Sequence, residues 1–166
     1  MQAPRYERLG RVWQRIEIAV IGALVVSALA VFLFGSFARS FAPSLAIDWS
    51  EEVAIYLVVW ATLLSGGTLT ANRAHVSAEF LVHWLSPGAR RTLAIAIEVL
   101  MLAFCLLMTW LGIEGVLFAH MLDERSASTL QAPQAWVLYL ALPAGMLLIV
   151  VRLALLLLLE RPPKNA

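Results

Sequence analysis

Four long runs of apolar residues constrain this chain more than any other feature. They cover about residues 16–38, 52–71, 92–119 and 135–159. A helix of roughly 20 residues, rising 1.5 Å per residue, crosses a hydrocarbon core about 30 Å thick, so each run is long enough to span a bilayer. The runs are too long for barrel strands and do not alternate between polar and apolar residues. We therefore predict an all-α membrane protein with four transmembrane helices.

Composition excludes most other classes of protein. Of 166 residues, 61% are hydrophobic and 14% are charged, which is more apolar material than a soluble domain of this length can bury. The net charge is +1, and the basic residues form no continuous stripe, so nucleic-acid binding is not expected. We interpret residues 1–166 as one integral membrane domain in contact with lipid.

The basic residues predict the orientation of the spans. The two tails and the loop between spans two and three hold nine Lys and Arg residues, whereas the other two loops hold only Arg39 and Arg125. Positive residues remain in the cytoplasm. Both termini are therefore predicted to be cytoplasmic.

The loop between spans two and three contains an amphipathic segment at about residues 75–86. Its apolar side chains fall on one half of a helical wheel, with His75 on the other half. The apolar members are Val76, Phe80, Leu81, Trp84 and Leu85. This pattern predicts a helix that lies flat at the membrane interface, with a soluble loop helix as the alternative.

Two charges in the predicted spans are expected to pair. An ion at the bilayer centre costs about 2.5–3.5 kcal/mol on insertion scales, so it needs a partner. Glu98 in span three and Arg152 in span four lie at similar predicted depths from the cytoplasmic side. We predict that they form a structural ion pair, and a proton or ion relay is the weaker alternative.

Other charges lie nearer the predicted membrane boundaries. Glu114 is close to the outer end of span three, where Arg125 or Arg39 could reach it or where it could extend to water. Glu17, beside Arg15, is interpreted as an interface residue.

The start of span two and the middle of span four each carry a distinctive residue type. Glu51 and Glu52 occupy the first turn of span two, where the helix dipole favours acids. Pro143 lies well inside span four, where it should kink the helix or mark a packing contact.

Motifs for catalysis, metal binding or haem ligation are not found in the sequence. We predict no enzymatic activity, no catalytic or metal-binding residues and no cofactor.

Several segments together resemble a known family. The run 48–52 (DWSEE) opens span two and 56–60 (YLVVW) continues it, followed by Gly66-Gly67, Arg73 and His75. The loop 125–133 (RSASTLQAP) leads to 139–145 (YLALPAG) in span four. The chain resembles the small, Q-type membrane subunit of tripartite ATP-independent periplasmic (TRAP) transporters over nearly its whole length.

The resemblance implies a role in a larger assembly of the bacterial inner membrane. It implies a large membrane subunit that holds the substrate and sodium sites, and a periplasmic protein that delivers an organic acid. The small subunit is then a static scaffold with no substrate site of its own. Residues 39–49 lack the aromatic-rich Arg motif of many members, which leaves local contacts there open.

The same resemblance suggests which residues serve structure or assembly. Trp49, Glu51 and Glu52 are candidates for an assembly contact near the periplasmic face, or they simply begin span two. His75 is a candidate contact between the flat helix and span two. The remaining structural or assembly candidates are Arg73, Arg125 and Pro143.

Two other functions stay open from the sequence. One is a stand-alone homodimeric exporter, which would need an essential acid in the first span. The other is an assembly or electron-transfer partner in the membrane. The sequence leaves the substrate and the stoichiometry undetermined.

Overall fold

The predicted long apolar runs are helical in the computed structural model, which describes residues 5–41, 47–71 and 87–159. Helix α1 covers Arg5–Phe41, α2 covers Ser50–Ala71, α3 covers Pro87–Met121 and α4 covers Ala141–Leu159. The prediction of an all-α fold is confirmed. The proposed interfacial helix at 75–86 lies outside the described residues, as do both termini.

Three of these helices are long and apolar enough to cross a membrane. The qualifying segments are Val12–Phe41, Ile95–Met121 and, together with the turn that precedes α4, Ala135–Leu155. Helix α1 has 37 residues, or about 55 Å of helix at 1.5 Å per residue. It is thus longer than the hydrocarbon core and begins well before the predicted span at 16–38.

Helix α2 has 22 residues and begins next to a short turn. Ser50 Oγ donates a hydrogen bond to the Ile47 carbonyl at 3.1 Å, and the Val53 amide donates to the Trp49 carbonyl at 3.0 Å. Glu51 and Glu52 lie in the first turn, as the sequence indicated. Helix α2 is long enough to span, and its crossing of the membrane remains a prediction.

The start of the fourth run is not a regular α-helix. Residues Ala135–Tyr139 form a π-helical turn, and the Leu140 amide donates to the Ala135 carbonyl at 3.1 Å. Pro143 follows in the first turn of α4, where its ring lies against Gly112 of α3. Because proline cannot donate to the carbonyl four residues earlier, a wider turn before it accommodates the change in hydrogen bonding.

The helices pack in the spatial order α1, α2, α4, α3. Contacts of Gly35 with Ser50 and of Glu17 with Gly67 show that α1 and α2 are antiparallel. The α2–α4 contact is parallel, and the α3–α4 contact is antiparallel. Polar groups at opposite ends of the bundle therefore come from different helices.

Small residues form most of the tightly packed interior. The buried set includes Ala28, Ala54, Ala61, Ala135 and Ala141. Small side chains let membrane helices approach closely without large interlocking groups. Most large apolar side chains of α1 and α3 remain exposed, as expected for surfaces that face lipid or another membrane protein.

Candidate functional site

The polar contacts of the described residues gather at two ends of the bundle. We call residues 47–52 with 122–134 the loop end, and Glu17, Gly67 and Arg152 the ion-pair end. The loop end joins the start of α2 to the connection between α3 and α4. The ion-pair end joins α1, α2 and α4.

At the loop end, Asp48 binds the second loop through two hydrogen bonds. Thr129 donates its backbone amide to Asp48 Oδ2 at 3.0 Å and its Oγ1 hydroxyl to Oδ1 at 2.6 Å. Because hydrogen bonds favour the charged form, these contacts with Thr129 lower the pKa of the Asp48 carboxyl below its ordinary value. The sequence analysis did not identify this contact.

Glu52 makes the second connection to the same loop. Its carboxylate accepts hydrogen bonds from the Ser126 hydroxyl and from Tyr56 one turn further along α2. Ser126 is 6% exposed and also contacts Ser128 through its hydroxyl at 2.9 Å. The carboxylate therefore binds an internal partner and is not simply a solvated helix start.

The loop that carries Ser126 and Thr129 is closed by its own backbone. The Ser126 amide donates to the Ala132 carbonyl at 3.0 Å. Asp123 and Gln131 have φ values of 47° and 45°, in the left-handed region that turns require. These turns present the Thr129 hydroxyl to Asp48 and the Ser126 hydroxyl to Glu52.

Two further predicted residues of this region lie at its surface. Glu51 forms a salt bridge of 2.8 Å with Arg39 at the end of α1, and both side chains are about half exposed. Arg125 binds Asp123 at 3.1 Å, and this interaction lowers the pKa of Asp123. Exposed ion pairs such as these two contribute little to stability. Trp49, another predicted residue of this region, is half-buried.

One more contact fastens α2 to the π-helical turn. Trp60 Nε1 donates to the Val137 carbonyl at 2.7 Å. An indole N–H only donates hydrogen bonds, and here its acceptor is a backbone carbonyl of the π-helical turn. The Tyr-Leu-Val-Val-Trp run thus has a direct structural role.

At the ion-pair end, Arg152 binds Glu17. Arg152 Nη2 donates to Glu17 Oε2 at 2.6 Å, and the side chains are 10% and 7% exposed. The guanidinium also lies 5.2 Å from the centre of the Trp13 ring, within the range of a cation–π contact. The predicted Glu98–Arg152 pair is wrong, because Arg152 binds Glu17 instead. Glu17 is buried in this contact, and its location at the membrane interface stays a prediction.

The reason for the error is a difference in depth. Pro143 contacts Gly112 across the antiparallel α3–α4 pair. Arg152 is nine residues further along α4, so the corresponding level on α3 is near Ala103. Glu98 lies five residues beyond that level, or roughly 7.5 Å along the axis. Counting residues inward from the predicted span ends placed Glu98 and Arg152 at the same depth.

Gly67 explains how Glu17 reaches a residue of α4 across α2. A Cβ at position 67 would lie 2.5 Å from Glu17 Oε1 and 2.8 Å from Leu148 Cδ2. Because glycine has no side chain, the Glu17 carboxylate has the space to pass α2. Sequence inspection noted the Gly66-Gly67 pair but did not connect it to an ion pair.

Glu114 of α3 lies outside both the loop end and the ion-pair end. Glu114 Oε1 accepts a hydrogen bond from Trp110 Nε1 at 2.9 Å, and both residues are exposed. Arg125 and Arg39, suggested from the sequence as partners of Glu114, bind Asp123 and Glu51 instead. The third alternative, that Glu114 extends to water, stays a prediction. Arg73, His75 and the apolar residues predicted for the interfacial helix lie outside the described residues.

The described residues contain no cluster of three or more His, Cys, Asp or Glu side chains that could hold a metal ion. A shallow apolar depression of about 360 Å³ lies between α1 and α2 and is lined by Trp13, Ile16, Glu17, Val20 and Leu64. Its single charged residue, Glu17, is already bound to Arg152. In the described part of the chain, these polar groups connect helices to one another.

Comparison with known proteins agrees with this description. Residues 28–161 match the family described as tripartite ATP-independent periplasmic transporters, DctQ component. The chain is also 27% identical over 133 residues to a candidate TRAP transporter small permease protein of Haemophilus influenzae, an alignment that covers 80% of this chain and 79% of the relative. This protein therefore belongs to the DctQ component family, the small permease subunits of TRAP transporters.

Proposed function

We propose that this small permease subunit is a static scaffold for the large membrane subunit of a sodium-coupled TRAP transporter that takes up organic acids. The observation that carries the proposal is the family match over residues 28–161. Substrate and sodium binding belong, in this proposal, to the large subunit. A periplasmic binding protein delivers the substrate.

The internal use of charged groups supports a scaffold rather than a carrier. Glu17 and Arg152 bind each other across three helices, and Glu52 binds the loop between α3 and α4. A self-sufficient carrier binds its substrate near the midplane, at interrupted helices with available polar groups. In the described part of the chain, the polar contacts instead hold helices and loops together.

The extent of exposed apolar surface supports a partner within the membrane. Large apolar side chains are exposed along α1 and α3, including Phe34, Leu100 and Phe118 at 61%, 71% and 64%. Such surface is stable against lipid or against another membrane protein. A scaffold needs both kinds of contact.

We further propose that the protein resides in the bacterial inner membrane with both termini in the cytoplasm. The distribution of basic residues supports this orientation. The loop end would then face the periplasm, where the binding protein arrives, and the ion-pair end would lie toward the cytoplasm.

A pull-down of tagged chain from detergent-solubilised native membranes tests the assembly. We expect recovery of one much larger membrane protein, identified by mass, in a fixed ratio to the tagged chain. Recovery of the chain only as a homodimer would contradict the scaffold proposal and favour the stand-alone exporter.

Transport by reconstituted components tests the role. Liposomes that contain both membrane subunits, supplied with the binding protein, should accumulate an organic acid when a sodium gradient is present. Liposomes with the small subunit alone should show no uptake or export. Transport by the small subunit alone would overturn the proposal.

A further inference from the structure

Glu114 of α3 is an acid in an unusual place. It lies within the candidate span Ile95–Met121, seven residues before the end of that segment, or roughly 10 Å along the helix. His120 and Trp136 meet closer to the loop end, with ring centroids 5.5 Å apart, at a level suited to the membrane interface. Glu114 thus lies inside the candidate span and is nevertheless exposed.

The chain supplies this carboxylate with only a neutral donor among the described residues. Trp110 Nε1 binds Oε1 at 2.9 Å, and Trp110 itself is 65% exposed. Arg39 at the end of α1 and Arg125 of the loop end bind Glu51 and Asp123. An acid facing hydrocarbon is unfavourable without a partner, so a further polar or basic group beside Glu114 in the membrane would stabilise it.

The residues around Glu114 form a continuous face of α3, which we call the α3 stripe. They recur at helical spacing and are all about half exposed or more. The apolar members and the indole are Leu107, Trp110, Leu111, Leu117, Phe118 and Met121, at 54%, 65%, 47%, 55%, 64% and 84% exposed. The opposite face of α3, with Cys105, Gly112 and Val116, is buried. The stripe is therefore the side directed away from α4.

We propose that the α3 stripe is the surface on which a transmembrane helix of the large TRAP subunit packs, with a Lys or Arg of that helix opposite Glu114. This inference rests on the proposed function. A basic partner complements the Glu114 carboxylate, which a lipid acyl chain cannot do. A symmetric dimer of this chain through the same face would bring two Glu114 carboxylates together, and like charges disfavour that arrangement.

Site-specific photo-crosslinking in the complete transporter tests the location. A photoreactive amino acid replaces Leu107 or Leu117, and adducts formed in native membranes are identified by mass. We expect both positions to form adducts with the large subunit. If wild-type chain recovers the large subunit but these positions react only with lipid or with a second copy of the chain, the inference is wrong while the proposed function stands. If wild-type chain recovers no large subunit, the proposed function itself fails.

Charge reversal tests the role of the carboxylate. E114R should lower recovery of the large subunit roughly tenfold or more, since it opposes like charges at a desolvated contact. R15E reverses an exposed charge on α1, the helix furthest from α3 in the packing order, and should leave recovery unchanged. A Lys or Arg to Glu change on the crosslinked partner helix should restore recovery with E114R. Undiminished recovery with E114R would overturn the charge pairing, and the crosslinks decide the location even if that variant fails to fold.

Discussion

The two ends of the bundle use charge in opposite ways. The loop end spreads its interactions over several contacts: Asp48 with Thr129, Glu52 with Ser126, and the exposed pair of Arg39 and Glu51. Among the described residues, the polar interaction of the ion-pair end is the pair of Glu17 and Arg152, whose side chains are at most 10% exposed. The stability of the loop end therefore depends on the number of its contacts, and that of the ion-pair end depends on the burial of its pair.

This difference separates the consequences of damage at each end. An exposed ion pair contributes about 0–1 kcal/mol, because water and salt replace most of its attraction. Removing one member of a buried pair leaves an uncompensated charge, which costs about 3–5 kcal/mol. We therefore expect mutations at the ion-pair end to be severe and mutations at the loop end to be graded.

The largest expected effect follows from Arg152→Met. This change leaves the Glu17 carboxylate buried without its cation, so the free energy of unfolding should fall by about 3–5 kcal/mol. Thermal unfolding of the purified protein in detergent measures the loss. Arg15→Met is the matched control, because Arg15 is exposed and should tolerate the same change.

A double variant distinguishes a buried charge from a lost attraction. Replacing Glu17 and Arg152 together with Met removes both ions, and such replacements of buried pairs are often neutral. The double variant should therefore be more stable than Arg152→Met. Equal instability of the two variants would show that the pair contributes through packing rather than through charge.

The next largest effect is expected for Gly67→Ala. The added methyl group would lie 2.5 Å from Glu17 Oε1 and 2.8 Å from Leu148 Cδ2, so either the carboxylate or α4 must move. We expect a loss of about 1–3 kcal/mol, typical of overpacking. Gly22→Ala is the control, since nothing lies within 4 Å of its Cβ position, and it should be neutral or stabilising by roughly 0.5–1 kcal/mol.

A chain that lacks the Glu17 carboxylate tests whether the cost of Gly67→Ala comes from the ion pair. In a chain that already carries Glu17→Ala, the obstructing carboxylate is gone, so Gly67→Ala should cost less than it does in the wild type. An unchanged cost would assign the whole effect to the contact with Leu148.

A smaller effect is expected at the loop end for Ser126→Ala. The change removes a donor to the half-buried Glu52 carboxylate, and a hydrogen bond to a charged group contributes about 1.5–3 kcal/mol. Tyr56 still donates to Glu52, so we expect a loss near the lower limit, measured by thermal unfolding. Ser40→Ala is the control, because the Ser40 hydroxyl is exposed and binds only the Ser36 carbonyl of its own helix. An effect above that of Gly67→Ala would contradict the graded behaviour proposed for this end.

The sequence predicted an all-helical chain, because apolar runs of this length favour helices locally. It did not predict which charges pair. That depends on the spatial order of the helices, on the depth that the Pro143–Gly112 contact sets, and on the gap at Gly67. Each of these is a tertiary relationship between distant positions. The same is true of Asp48 and Thr129, which are 81 residues apart in the chain.

The smallest expected effect is a dependence of the loop end on pH. Hydrogen bonds from Thr129 hold the pKa of Asp48 below its ordinary value of 3.8 in the folded protein. The ionised carboxylate therefore contributes its full stabilisation above pH 3.8, and this contribution is lost as the pH falls through the lower, folded-state pKa. Amide hydrogen exchange at Thr129, corrected for its intrinsic pH dependence, should show constant protection from pH 7 to pH 5 and a loss of protection only below pH 3.8. Asp48→Ala should remove most of this protection at every pH, because the amide then loses its acceptor. Equal protection in the variant and the wild type at pH 7 would show that the closed backbone of the loop, rather than Asp48, holds Thr129 in place.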